Sequence, residues 1–441
     1  MQADRRQFLR ATASAFAALS ASACATRGGG AATPLPLGAD YGALVPDPAG
    51  ILDLPRGFSY RVLSSLGEAM DDGGTVPDKA DGMGCFDLGN GEWALVRNHE
   101  LRAEEDTGGA TGPAFDTMAR SLVPLAGGTT TIVLDPATLN VKRQYRSLAG
   151  TIRNCAGGVT PWGSWLTCEE DVSTPNGNIN KSHGWVFEVP ANAERQVDPL
   201  PITAMGRFNH EAACVDPATG IVYMTEDRND SLLYRYIPTH AGELARGGTL
   251  QALVLNGVAD TRNWDGVAMQ VGDLVQGRWI TLDNVESPED DLRQRGAEMG
   301  AALFARGEGI WMGDGEFFFT ATSGGAAKEG QIFRMRPNIH GADVLELFYE
   351  SSDREVYSFG DNLTIAPDGH LIVCEDQYTE TVDNHLRGVT PSGEAYAFAR
   401  LRIQTEPAGA CFSPDGRTLF VNAYSPTRTL AITGPWKWLN S

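Results

Sequence analysis

Beyond residue 45 the apolar positions come in short runs rich in Val, Ile, Leu, Phe and Tyr. Gly, Asp, Asn and Pro separate them, and no stretch carries the 3.6-residue period of a long amphipathic helix. One unit recurs. Glu211 to Asp227 reads Glu-Ala-Ala-Cys-Val-Asp-Pro-Ala-Thr-Gly-Ile-Val-Tyr-Met-Thr-Glu-Asp: an apolar strand, a turn, a second apolar strand, then acids. The same plan runs from Glu308 to Thr320, from Asn362 to Asp376 and from Gly409 to Asn422, with looser copies from Asp81 to Glu100 and from Asn154 to Glu170. Three copies are followed by a further strand ending in proline, at Pro190, Pro238 and Pro337. Six copies, spaced by about 50 to 100 residues, predict an all-β, six-bladed β-propeller over residues 46–441, with about four strands per blade. A pair of β-sandwiches with chance Pro-Asp-Gly turns is the alternative.

The unit has a geometric consequence. In an antiparallel hairpin the start of the first strand and the end of the second share one edge. That places Glu211 with Glu226, Asn362 with Glu375, and Asn154 with Glu169 on one face of the disc. First strands surround the central channel, so Glu, Asp and Asn side chains ring one mouth while the turns lie on the opposite face.

The first residues read differently. Asp4-Arg5-Arg6-Gln7-Phe8-Leu9-Arg10 is a twin-arginine pattern, followed by a weakly apolar run and Ala21-Ser22-Ala23, a cleavage signal. Residues 1–23 are therefore expected to be a twin-arginine signal peptide read by the matching export machinery, and 24–45 a flexible Gly-, Ala- and Pro-rich linker. A periplasmic or secreted protein is implied. Lipid attachment at Cys24 is the lesser option, because Ala21 suits a lipoprotein signal poorly.

Charge sharpens the picture. The chain of 441 residues has a formal charge of −21, which argues against nucleic acid or an anionic membrane as partner. Such a field repels an anionic substrate unless cations intervene. A ring of carboxylates cannot all stay ionised without cations either, and oxygen donors suit Ca²⁺, Mg²⁺ or Mn²⁺. Cys168, in Trp165-Leu-Thr-Cys168-Glu169-Glu170, ends a strand at the acid-bearing mouth. A thiolate there suits iron or another transition metal, although the residue equally reads as a half-cystine or a core thiol. Cys374 is a second such position, whereas Cys214 and Cys411 read as buried apolar residues. Arg306 lies two residues before Glu308, so in extended backbone both point to one side. Its guanidinium is a fork for phosphate or carboxylate, or half of a surface ion pair. No G-x-S-x-G elbow, Walker A loop or H-E-x-x-H motif is present.

The stretch Asn154-Cys-Ala-Gly-Gly-Val-Thr-Pro-Trp-Gly-Ser-Trp-Leu-Thr-Cys168-Glu169-Glu170 resembles the signature of the PhoX-type bacterial alkaline phosphatases. So do Asn98-His99-Glu100, Gly206-Arg-Phe-Asn-His-Glu211 and Phe304-Ala-Arg306-Gly-Glu308-Gly. The resemblance implies an exported six-bladed propeller that hydrolyses small phosphate monoesters with iron (Fe³⁺) and calcium. It implies Cys168 as the iron ligand, Glu211 and Glu308 as carboxylate ligands, and Arg306 as the grip on phosphate. Glu169 follows as a calcium ligand, and Glu100 joins the metal-ligand set. Asp361, Asn362 and Glu375 as ligands, and Asn154 as a substrate contact, rest mainly on the repeat. The chain is shorter than typical members, and Gly307 stands where many relatives have proline. A monomer is expected. Two other readings use the same kind of ring: a calcium-dependent lactonase or esterase, and a non-catalytic envelope scaffold stiffened by calcium.

Overall fold

A computed structural model describes residues 40–437, apart from residues 111 and 339. Six inner strands, one from each repeat, pack side by side and close into a ring: Ala80–Asp87, Asn154–Val159, His210–Val215, Gly307–Met312, Gly360–Ile365 and Pro407–Phe412. Each pairs antiparallel with the next strand of its own repeat, and further strands continue outward. The described residues form five hydrogen-bonded sheets, not six, because two blades are joined at their outer edges. There Leu274–Thr281 of the third blade pairs with Asp343–Glu350 of the fourth.

Packing confirms six units. A separate apolar cluster fills each junction between neighbouring blades. Phe86 and Trp165 meet between the first and second, Cys214 and Ile310 between the third and fourth, and Met83 and Phe420 where the sixth returns to the first. The phenylalanines and tryptophans of the repeats are therefore inter-blade core. Inner strands touch at backbone distance: a Cβ on Gly82 would lie 2.5 Å from the Ala156 Cα, so only glycine fits there.

The N-terminal part of the described chain closes the ring. Ser59–Ser65 is the outermost strand of the sixth blade, paired with Arg428–Thr433. Leu44–Val45 pairs with the strand Leu52–Pro55, which in turn borders the fifth blade. Tyr41 packs edge-on against Phe58, Phe398 and Trp436, and its hydroxyl donates to Asp368 (2.6 Å). Residues 40–45 thus belong to the folded body rather than to a flexible linker. The signal segment and the rest of the linker lie outside the described residues. No helix among the described residues is long and apolar enough to cross a membrane.

Candidate active site and metal centre

Every inner strand carries a β-bulge at its entry, between Ala80 and Met83, Asn154 and Gly157, His210 and Ala213, Gly307 and Ile310, Gly360 and Leu363, and Ala408 and Cys411. The extra residue breaks the alternation and re-aims one side chain. The first bulged residue is Asp81, Cys155, Glu211, Glu308, Asp361 and Gly409 in turn. Five of these six are metal-ligand types. At the sixth the backbone is left-handed (φ 62°) and a Cβ on Gly409 would lie 2.1 Å from the Asp81 carbonyl oxygen, so no side chain fits. A second tier comes from the neighbouring strands. Glu100, Glu170, Asp227 and Asp376 each follow the last residue of the strand paired with an inner strand.

Most of these residues line a cavity of about 520 Å³ at one mouth of the ring. Its walls are Asp81, Glu100, Glu170, Asp227, Glu308, Asp361, Asp376 and Glu406, with Cys155, Arg153, Arg306 and Tyr378. Three ligand sets have donor atoms mutually within 4.8 Å: Asp81–Glu100–Cys155, Cys155–Glu170–Glu211, and Glu211–Glu308–Asp361. The sets share Cys155 and Glu211, so the three form one continuous group of donors.

The electrostatics call for cations. Glu211 is fully buried, and neither carboxylate oxygen has a hydrogen-bond partner; Asp81 Oδ1 is orphaned too. A buried carboxylate without a partner is costly unless it is protonated or bound to a metal. Burial first, and neighbouring carboxylates second, push the Asp81, Glu211, Glu308 and Glu406 acids well above the usual range; Glu170 moves the same way, mainly through burial, against the pull of Arg153. Asp361 is pushed up to about 8, by burial and then by Asp376. Burial likewise raises the Cys155 thiol, reinforced by Asp81 and Glu211. Hard carboxylates and one soft thiol, crowded and unsatisfied, fit a polynuclear site for mixed cations.

Two guanidiniums flank the acids. Arg306 Nε and Nη2 donate to the two Asp227 oxygens (2.7 and 3.0 Å), and Nη2 also reaches Glu308 Oε1 (2.8 Å). Arg153 Nε donates to Glu100 (2.7 Å), and its Nη2 pairs with Glu170. Both occupy one structural position, two residues before the bulged ligand. Both have left-handed backbone, at φ 55° and 47°, as do Lys79 and Phe359 (φ 53° and 48°) at the same position of the first and fifth blades, so the conformation belongs to the bulged entry of the inner strand.

Several sequence-based assignments need correction. Glu100, Glu211, Glu308, Asp361 and Arg306 come together as expected. Cys168 does not: it is fully buried in the apolar cluster between the second and third blades, with Leu166, Val186 and Met205, and burial alone raises its thiol. The thiol at the cavity is Cys155. Glu169 faces away and anchors backbone, accepting from the amides of Ile152 (2.9 Å) and Gly184 (3.0 Å) and pairing with His183 (2.6 Å). Glu375 accepts from the Ser358 and His385 amides (both 3.0 Å) and from Arg387 (2.7 Å). Asn154 binds Thr167 (2.9 Å) of its own blade and Thr151, the last residue of the first blade's outer strand. Asn362 Oδ1 accepts from the Gly409 amide beneath the cavity. Cys374 lies in the core between the fifth and sixth blades. Most of these errors are one residue wide: Cys155 stands beside Asn154, Glu170 beside Glu169, Asp361 beside Asn362 and Asp376 beside Glu375. The period of two puts neighbours on opposite sides. Asp81, Asp227, Glu406, Arg153 and Tyr378 were also missed. Aligning all six repeats on the strand-entry position would have found Asp81, and Arg153 with it.

The alkaline phosphatase PhoX family matches residues 39–427, nearly the whole chain. Among solved structures, Pseudomonas fluorescens PhoX in complex with vanadate, a transition state analogue, is 20% identical. The match covers 87% of this chain and 96% of that one, with a TM-score of 0.69. At that identity it shows the shared propeller fold. A gluconolactonase from Xanthomonas campestris is more distant, at 12% identity and a TM-score of 0.44 over 89% of this chain and 98% of that one. No curated protein is detectably similar in sequence. The chain belongs to the alkaline phosphatase PhoX family, and so to the metal-dependent phosphoric monoester hydrolases.

Proposed function

We propose that the cations are iron and calcium, that Cys155 as thiolate would hold the iron, and that Glu211 would serve as a ligand common to two of the donor sets. The observation that carries this is Glu211: it is fully buried, has two unpartnered oxygens, and belongs to two ligand sets at once. Asp81, Glu100, Glu170, Glu308 and Asp361 complete the ligand groups. Bound there, the cations would neutralise the carboxylates, draw charge from phosphoryl oxygens and supply a nucleophile at neutral pH.

The protein's own groups do the rest. Arg306 and Arg153 stand at two sides of the cavity. With Glu100, Glu170 and Glu308 engaged by cations, these guanidiniums would be available to phosphoryl oxygens, where they would orient the group and offset charge gained in the transition state. The acids deep in the cavity exclude an uncompensated anion, so substrate affinity follows metal loading. A small phosphate monoester fits about 520 Å³. The twin-arginine leader supports insertion of metal before export and action in the periplasm.

Turnover of three chromogenic substrates tests the reading: a phosphate monoester, a phosphate diester and a lactone, before and after chelation. Monoester hydrolysis that chelation abolishes and iron with calcium restores is the expected result. Hydrolysis of the lactone alone, or monoester hydrolysis indifferent to chelation, would overturn it.

A further inference from the structure

The cavity walls are almost wholly charged. Of the twelve lining residues, eight are carboxylates, two are guanidiniums and one is a thiol; the twelfth, Tyr378, alone offers an aromatic ring. It sits on the loop between the strands Leu371–Glu375 and His385–Val389. It is a large side chain left 64% exposed, although aromatic side chains gain most from burial.

The ring is nonetheless fixed. Its hydroxyl accepts from Arg306 Nη2 (3.2 Å), and the Arg306 guanidinium carbon stands 5.4 Å from the ring centroid. On another side the ring meets Phe359 edge-on, with centroids 5.7 Å apart. The loop is held at both ends: the Asp376 amide donates to the Phe359 carbonyl (2.9 Å), and the Gln377 amide to Asn384 Oδ1 (3.0 Å). An exposed ring held in one place beside the phosphate-gripping arginine is a preformed apolar surface.

We propose that Tyr378 is the leaving-group platform of this phosphatase and selects monoesters whose leaving group carries a flat ring next to the ester oxygen, that is, aryl phosphates. The proposal rests on the phosphatase reading. A phosphoryl group held by Arg306 directs its ester oxygen away from the buried acids and toward the mouth. An aromatic substituent there lies within stacking distance of a ring centred 5.4 Å from the guanidinium carbon. An aliphatic leaving group meets the same ring with less contact area and no quadrupole match. Elsewhere the cavity walls offer only charged groups and the buried thiol, so the discrimination falls on this residue.

Competitive inhibition of monoester hydrolysis by phenylphosphonate and by propylphosphonate reads binding without leaving-group chemistry. The ratio of the two inhibition constants is the readout, in wild type, Tyr378→Phe and Tyr378→Ala. Wild type should favour phenylphosphonate. Tyr378→Phe, which keeps the ring and loses the hydroxyl, should preserve the ratio even if both constants rise through Arg306. Tyr378→Ala should erase about threefold to tenfold of the preference, the range aromatic pairs supply. An unchanged ratio in Tyr378→Ala would overturn the proposal. So would a ratio lost already in Tyr378→Phe, which would mean that the residue acts only by positioning Arg306. If metal-loaded wild type hydrolyses no monoester at all, the phosphatase reading itself has failed, and that is seen before any variant is made.

Discussion

Arg153 and Arg306 occupy one position in two blades, each two residues before a bulged ligand and each with left-handed backbone. Only Arg306 was legible in the sequence, because it precedes an acid. Arg153 precedes Cys155 by the same step, and its meaning appears only once Cys155 is known to face the cavity. A charge-assisted hydrogen bond contributes about 1.5–3 kcal/mol. Arg153→Met should therefore raise the KM for a phosphate monoester by about tenfold or more, with metal content unchanged. Wild-type KM in a metal-replete Arg153→Met would show that Arg153 only pairs with Glu100 and Glu170.

At the scale of the strand, hydrophobic alternation and turn chemistry located the hairpins and the edge at which acids gather. The strands ending in proline were equally legible, because no bulge interrupts them: Val186–Pro190 and Tyr234–Pro238 are the third strands of their blades. What alternation could not reveal was the bulge. One added residue at each inner-strand entry shifts which side chain faces the channel, and no local composition marks it. Strand-end position alone therefore predicts ligand roles for Glu169 and Glu375, although each is a latch for backbone amides one residue away from the cavity. Glu226, one residue before Asp227, is likewise turned away from the cavity, but it accepts from the Tyr234 hydroxyl (2.8 Å) rather than from backbone. Acidic residues at strand ends thus serve two tiers, one structural and one facing the cavity.

In the whole molecule, six blades bring acids far apart in sequence into one buried site, and the cost of that crowding sets a pH dependence. In the metal-free protein Asp361 is pushed up to about 8, and Asp81, Glu170, Glu211, Glu308 and Glu406 also rise above the carboxylate range. The native state then keeps protons that the unfolded chain has lost at about pH 4. Stability of the stripped protein must fall as pH rises from about 4 through about 8. Bound cations replace those protons, so the gap in Tm between loaded and stripped protein should widen from about pH 5 to about pH 8. A stripped protein that is more stable at the higher pH would refute this electrostatic account.

The central claim is that a cation cluster, held at the bulged positions and including Cys155, carries the phosphatase activity. Iron and calcium content, measured together with monoester turnover in Cys155→Ser and Cys168→Ala, test it most directly. The account predicts that Cys155→Ser loses iron and turnover together, while Cys168→Ala keeps both, with only a lower Tm from its core cavity. Iron and activity retained in Cys155→Ser, but lost in a folded Cys168→Ala, would contradict it.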